Sequence, residues 1–241
     1  MRRIVLLSLV ALGGGLLAAC ESTQDRSRRL AAQGGGLAAE KGVSVARSSP
    51  DVKVLATDVI QDANGTAAVV RLRNVSKRML WQLPITIDVR GAAGKGLFRN
   101  DQPGLEPTLA HVPLVRPGET FTWIDDQIAA TGKPKRVTAR VGDGAAISAA
   151  GVPKIVLSGV RLQKDPVSGI AAVGLAANRS KIEQRKLVIF AIARRGGKVV
   201  AAGRAQIPKL KPGKRARFQA FFIGSPRGAR LELSAPPAVV R

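Results

Sequence analysis

Few side chains in this 241-residue chain can do covalent or acid–base chemistry. It has one cysteine, Cys20, one histidine, His111, and no tyrosine. A Ser-His-Asp arrangement, or most zinc sites, would have to use His111. That residue stands in a proline-rich connection, with no Gly-x-Ser-x-Gly and no second histidine, and reads as a surface side chain. Asp125 and Asp126, together with Asp101 and Glu106, could pair for acid–base work or hold calcium. Their spacing matches no calcium loop, and they read as solvated surface acids. The sequence therefore carries no expected catalytic residue, metal site or cofactor, and an enzyme ranks below a binding protein. An envelope hydrolase or a calcium-dependent protein is the third reading.

Cys20 is different because of what precedes it. Arg2 and Arg3 are followed by an apolar run at 4–17, loosened by Gly13, Gly14 and Gly15, and then by small residues. That order is a secretory signal peptide, residues 1–19. A bilayer-spanning helix needs about 20 apolar residues, and this run is shorter. The four residues Leu17, Ala18, Ala19 and Cys20 resemble the lipobox of bacterial lipoproteins. The resemblance implies a lipid on the Cys20 thiol, cleavage after Ala19 and acylation of the new amino terminus. The lipid would tie the protein to a membrane of the bacterial cell envelope. With Cys20 so used, the rest of the chain has no disulfide, thiolate nucleophile or cysteine metal site.

Residues 20–50 read as a lipidated flexible tether, with Gly34, Gly35, Gly36, scattered charges and Pro50. From residue 51 the texture changes to short β-type runs between turn residues. Leu83, Ile85, Ile87 and Val89 alternate with Thr86, Asp88 and Arg90, which predicts a strand with one buried face. Asn64-Gly65 predicts a hairpin. Residues 144–153, rich in Gly and Ala, read as a linker between units at 51–143 and 154–241. The units align on three features: Asn74 and Ser76 with Asn178 and Ser180, Gly94-Lys95 with Gly197-Lys198, and Pro117-Gly118 with Pro212-Gly213. The first unit carries 9 extra residues between its Asn and its Gly. About seven short strands per unit, with no long helical stripe, predict an all-β fold of two tandem β-sandwich domains. The insertion at 98–115 reads equally well as a binding loop or as a cover over one end of the sandwich.

The Asn-x-Ser strand end, the Gly-Lys hairpin and the Pro-Gly turn resemble the FxLYD-type immunoglobulin-like domains of bacterial envelope proteins. The second unit lacks the Tyr-Asp of that pattern and has Phe190, Ala191, Ile192 and Ala193 there. The resemblance implies two immunoglobulin-like sandwiches that act as binding or spacer modules.

The formal net charge is +23 and is unevenly spread. Residues 51–143 hold 13 Lys/Arg against 10 Asp/Glu, whereas residues 179–241 hold 16 against 2. Arg194, Arg195 and Lys198 surround one turn, and Lys209, Lys211, Lys214, Arg215 and Arg217 surround another. Arg179, Lys181, Arg185 and Lys186 follow Asn178. Gathered at a sandwich end, such residues would attract an anionic envelope polymer or anionic lipid, with a protein partner as a further expectation. Nucleic acid ranks lower, because base stacking needs exposed aromatics and the six Phe alternate as core residues do. The expectation is a non-enzymatic, lipid-anchored binding or scaffold protein. The alternative is a spacer whose charge has no specific ligand.

Overall fold

Strands dominate because β-branched and aliphatic residues alternate with polar ones between Gly, Pro and Asn turns. A computed structural model of the protein describes residues 42–166 and 168–240. Cys20, the signal peptide and most of the expected tether lie outside the described residues. The fold is all-β, in antiparallel sheets.

The first half contains β1 (Val52–Asp62), β2 (Gly65–Asn74), β3 (Met79–Arg90), β4 (Gly96–Arg99), β5 (His111–Val115), β6 (Thr120–Asp125), β7 (Arg136–Val141) and β8 (Ala145–Ile147). One sheet has the order β1-β2-β6; the other is built around β3, flanked by β4, β5, β7 and β8. The expected alternation on β3 is present: Leu83, Ile85, Ile87 and Val89 are buried, and Thr86 and Asp88 are half-exposed. The expected Asn-Gly hairpin joins β1 to β2, with Asp62 opposite Gly65. The second half contains β9 (Ile155–Asp165), β10 (Gly169–Asn178), β11 (Gln184–Arg195), β12 (Lys198–Leu210), β13 (Arg215–Phe221), β14 (Ile223–Gly224) and β15 (Arg230–Ser234). Its sheets have the orders β9-β10-β13 and β14-β12-β11-β15.

Two expected boundaries move. The segment read as a linker contributes β8, which pairs with Met79, Leu80 and Trp81 of β3. The segment read as tether is packed from Gly42 onward. A Cβ on Gly42 would sit 1.8 Å from the Asp101 carbonyl oxygen, Val45 is buried, and the Ser49 N–H donates to Val141 O. Small residues in both segments allow this close backbone approach, which composition alone reads as looseness.

The halves share a core. Val188, Phe190 and Ile192 of β11 belong to one apolar cluster with Leu72, Phe121, Trp123 and Ile124 of the first half. The alternate residues Leu187, Ile189, Ala191 and Ala193 face the second half's own interior. This explains the unbroken apolar run at 187–193: a strand covered on both faces has no polar side to show. Phe121 and Phe190 meet edge to face, with centroids 5.2 Å apart at 84°. The described residues accordingly form one compact unit.

β12 is one continuous strand along β11. Its counterpart in the first half is broken into β4 and β5 by residues 100–110, which leaves a gap in the ladder beside β3. Asn100, fully buried, closes it. Its Oδ1 accepts from Ile87 N at 2.7 Å, and its Nδ2 donates to Ile85 O at 3.0 Å and Leu109 O at 2.8 Å. Asn100→Ala would strand these buried backbone groups at about 1–3 kcal/mol each. Denaturant unfolding should show a loss of roughly 2–4 kcal/mol, given partial relaxation; a loss below about 0.5 kcal/mol, the level of an ordinary surface substitution, would refute the role.

Candidate functional site

The two halves use the same corner twice. Asn74 lies fully buried at the end of β2, and its Nδ2 donates to Arg78 O and Val115 O, while its Oδ1 accepts from the backbone N–H and hydroxyl of Ser76. Asn178, also fully buried, repeats the pattern with Ile182 O, Leu210 O and Ser180. The backbones match as well. Asn74 N donates to Glu119 O and Val75 N to Asp51 O; Asn178 N donates to Lys214 O and Arg179 N to Lys154 O. The amide thus ties its own loop to a strand end, and the next backbone N–H adds a third segment, which together fix the side chains around each corner.

Those side chains differ in charge. Around Asn74 stand Asp51, Lys77, Arg116 and Glu119, with ion pairs from Arg78 to Asp51 and from Arg116 to Glu119. Around Asn178 the matching backbone positions hold Lys154, Lys181, Lys211 and Lys214, joined by Arg179 and Arg215. All six are exposed, and no ion pair to them is present among the described residues. The same scaffold therefore carries a corner of mixed sign and a purely cationic one. Such a cluster raises the local concentration of anions.

The structure divides the expected polyanion set. Arg194, Arg195 and Lys198 lie at one end of β12, and Lys209, Lys211, Lys214 and Arg215 at the other. Thirteen strand residues separate the ends, roughly 40 Å at strand rise, so they do not form one patch. Three members have internal partners. Arg194 Nε lies 3.3 Å from Glu232 Oε2, Arg195 donates to Arg227 O, and Lys209 pairs with Glu183 at 3.3 Å. Arg217 projects from β13, beside Leu175 of β10. The structure adds Lys154, which the sequence reading missed. The repeated Pro-x-aliphatic start, Pro50-Asp51-Val52 against Pro153-Lys154-Ile155, would have revealed it. A second missed repeat is Pro113 before Pro117 and Pro208 before Pro212. Each first proline stands opposite a positive-φ residue, Gln82 or Lys186, where the missing proline N–H permits a local break in the ladder.

Two other candidates, Asp126 and Glu106, are drawn into the joint between the halves. Arg204 of β12 has a nearly buried side chain whose Nε lies 3.5 Å from Asp126 Oδ1, and its backbone N–H donates to Asp126 Oδ2 at 2.8 Å. Its guanidinium also donates to Thr108 O and Ile124 O and lies 6.0 Å from the Phe190 centroid. Glu106 accepts from Gln206 at 2.7 Å and pairs with Lys186 at 3.5 Å. Burial pulls the Glu106 carboxyl upward, but hydrogen bonds from Gln206 and Thr108 and the Lys186 ammonium hold it below its usual range. The insertion at 98–115 is thus a clamp on the second half. Asp101 pairs with Arg99, and His111 Nδ1 lies 3.1 Å from Pro107 O. No group of three or more His, Cys, Asp or Glu side chains that could hold a metal occurs among the described residues.

Asp125, expected at the surface, is 1% exposed. Burial pushes its carboxyl up to about 6, against the Gln127 N–H and the Arg204 charge, with Asp126 adding to the rise. A raised carboxyl pKa favours the folded state at low pH, and that contribution is lost as pH rises from about 4 to about 6. The shift corresponds to about 3 kcal/mol. Asp125→Asn should gain stability over the natural protein between pH 4 and pH 6.5 in paired denaturant titrations, and the difference should then level off. A pH-independent difference would exclude ionised Asp125 as the cause. No family model matches the sequence, and no curated protein matches it.

Proposed function

We propose that the protein is a lipid-anchored binding protein of a bacterial envelope, without enzymatic activity, that contacts anionic envelope polymers or anionic lipid through its basic second half. The single observation that supports this most is the charge difference between two structurally equivalent corners. Packing explains why both corners keep a buried Asn and a Pro-Gly turn. It does not ask one of them to gather six exposed cations while the other mixes acids and bases. The resemblance of the leader to a lipoprotein signal supplies the anchor, and the resemblance to FxLYD-type domains agrees with binding rather than catalysis. The shared core between the halves argues against the alternative of an extended spacer, because the halves are held together rather than strung out.

Two measurements test this reading. Labelling with a clickable fatty acid in a bacterial host should mark the natural protein and not Cys20→Ala; equal labelling of both would refute the anchor. In the Cys20→Ala chain, which leaves the lipid out, Lys154→Glu, Lys211→Glu and Lys214→Glu together should abolish salt-sensitive co-sedimentation with anionic vesicles and wall polymers. The matched change Lys77→Glu with Arg116→Glu at the other corner should leave it nearly intact. If both variants sediment like their parent, the corner is not a binding site and the spacer reading stands.

A further inference from the structure

The β1-β2-β6 sheet of the first half packs on the β14-β12-β11-β15 sheet of the second, which leaves one face of the second half without its counterpart. In the first half, strand register puts Asp58, Ile60, Ala67, Val69, Thr122 and Ile124 on one face of β1-β2-β6. That face meets the second half: Ile60 lies against Gly224, where an added Cβ would fall 2.9 Å from its Cγ2, and Asp62 Oδ2 accepts from Gly224 N at 2.8 Å. In the second half the equivalent face belongs to β9-β10-β13. Ala171 and Val173 replace Ala67 and Val69. Register then aligns Asp58 with Arg161, Ile60 with Gln163, Thr122 with Arg217 and Ile124 with Gln219. These four replacements are polar or cationic, and all four side chains are exposed; on the central strand, where register places Arg71 opposite Thr122, Leu175 takes the arginine's place.

The result is an open groove of about 640 Å³ with Val173 and Leu175 in its lining and these four side chains around them. Across strands the rows read Gln163, Ala171, Phe221; Arg161, Val173, Gln219; and Ser158, Leu175, Arg217. These three rows hold no acid, Asp165 follows them on the same face opposite Gly169, and neither Arg161 nor Arg217 has an ion pair among the described residues. The face combines arginine forks, amides and the half-exposed Leu175 at strand spacing, with successive residues on one face about 7 Å apart.

We propose that this face binds an acidic polysaccharide, a linear sugar chain bearing carboxylates. Arginine matches a carboxylate with two parallel hydrogen bonds. The Gln163 and Gln219 amides each offer a donor and an acceptor, as sugar hydroxyls require. The half-exposed Leu175 can underlie the apolar C–H face of a ring, and the half-exposed Phe221 stands at one end of the face. A bilayer is a poorer fit, since Val173 is only 8% exposed and offers little to insert. Single-stranded nucleic acid needs several stacking aromatics, and the rows hold one. The site is distinct from the Asn178 corner, so the two assignments fail separately.

The test titrates the full chain carrying Cys20→Ala with polygalacturonate, neutral dextran of matched length, phosphatidylglycerol vesicles and single-stranded DNA at 0.15 M salt. Polygalacturonate should bind and dextran should not. Arg161→Gln with Arg217→Gln should weaken polygalacturonate at least tenfold, while the Lys154, Lys211, Lys214 charge reversal leaves its affinity within about threefold. Both variants change exposed side chains, and an unchanged unfolding transition checks that they fold. The proposal is overturned if the natural side chains bind no polygalacturonate, if the arginine pair is without effect, if the loss follows the corner variant, or if vesicles or DNA bind as tightly.

Discussion

The structure depends on burying β11 on both sides. Leu187, Ile189, Ala191 and Ala193 close the second half's own interior, and Val188, Phe190 and Ile192 close the joint to the first half. With so few aromatics, the chain cannot fill two isolated cores with large rings. It places one ring pair, Phe121 and Phe190, where the halves meet. Aliphatic burial contributes about 25 cal/mol per Å² of apolar surface, so sharing a strand face between two cores adds stability that separate sandwiches of this size would lack.

Polar groups at that joint follow from the same constraint. Arg204 lies on the same face of β12 as Ala202, against the first half, and a guanidinium there must be paired. Asp126, Thr108 and Ile124 O supply the partners. The insertion in the first half provides Thr108 and Glu106, so its length is explained by reach across the joint. Breaking the strand to make that reach exposes ladder groups, and Asn100 answers for them. Asp125 is the remaining compromise: it stays buried beside Asp126 with its carboxyl pushed up to about 6.

Duplication separates packing from surface charge. Both halves retain the buried Asn, the Pro-Gly turn and the proline opposite a positive-φ residue, because these satisfy backbone groups at the same places. What differs is what water sees. The corner around Asn74 mixes acids and bases and the one around Asn178 is cationic; the sheet face with Ile60 and Ile124 is covered, and its equivalent with Gln163 and Gln219 is open. Internal comparison therefore picks out surfaces whose charge the fold does not require.

Much of this was legible in the amino-acid order. The period-two pattern at 83–90, the Asn-Gly hairpin and the paired Asn and Pro-Gly signals determined an all-β fold with an internal repeat, because strand burial and turn geometry are local properties. The order also determined the concentration of positive charge in the last quarter. Tertiary structure alone decided that the repeats share a core, that residues 42–49 and 145–147 belong to the folded unit, and that Asp125 is buried while the Arg194 and Lys211 groups lie at opposite ends of a strand. Those outcomes depend on which sheet face meets which, and sequence spacing within one strand carries no record of what covers it from another.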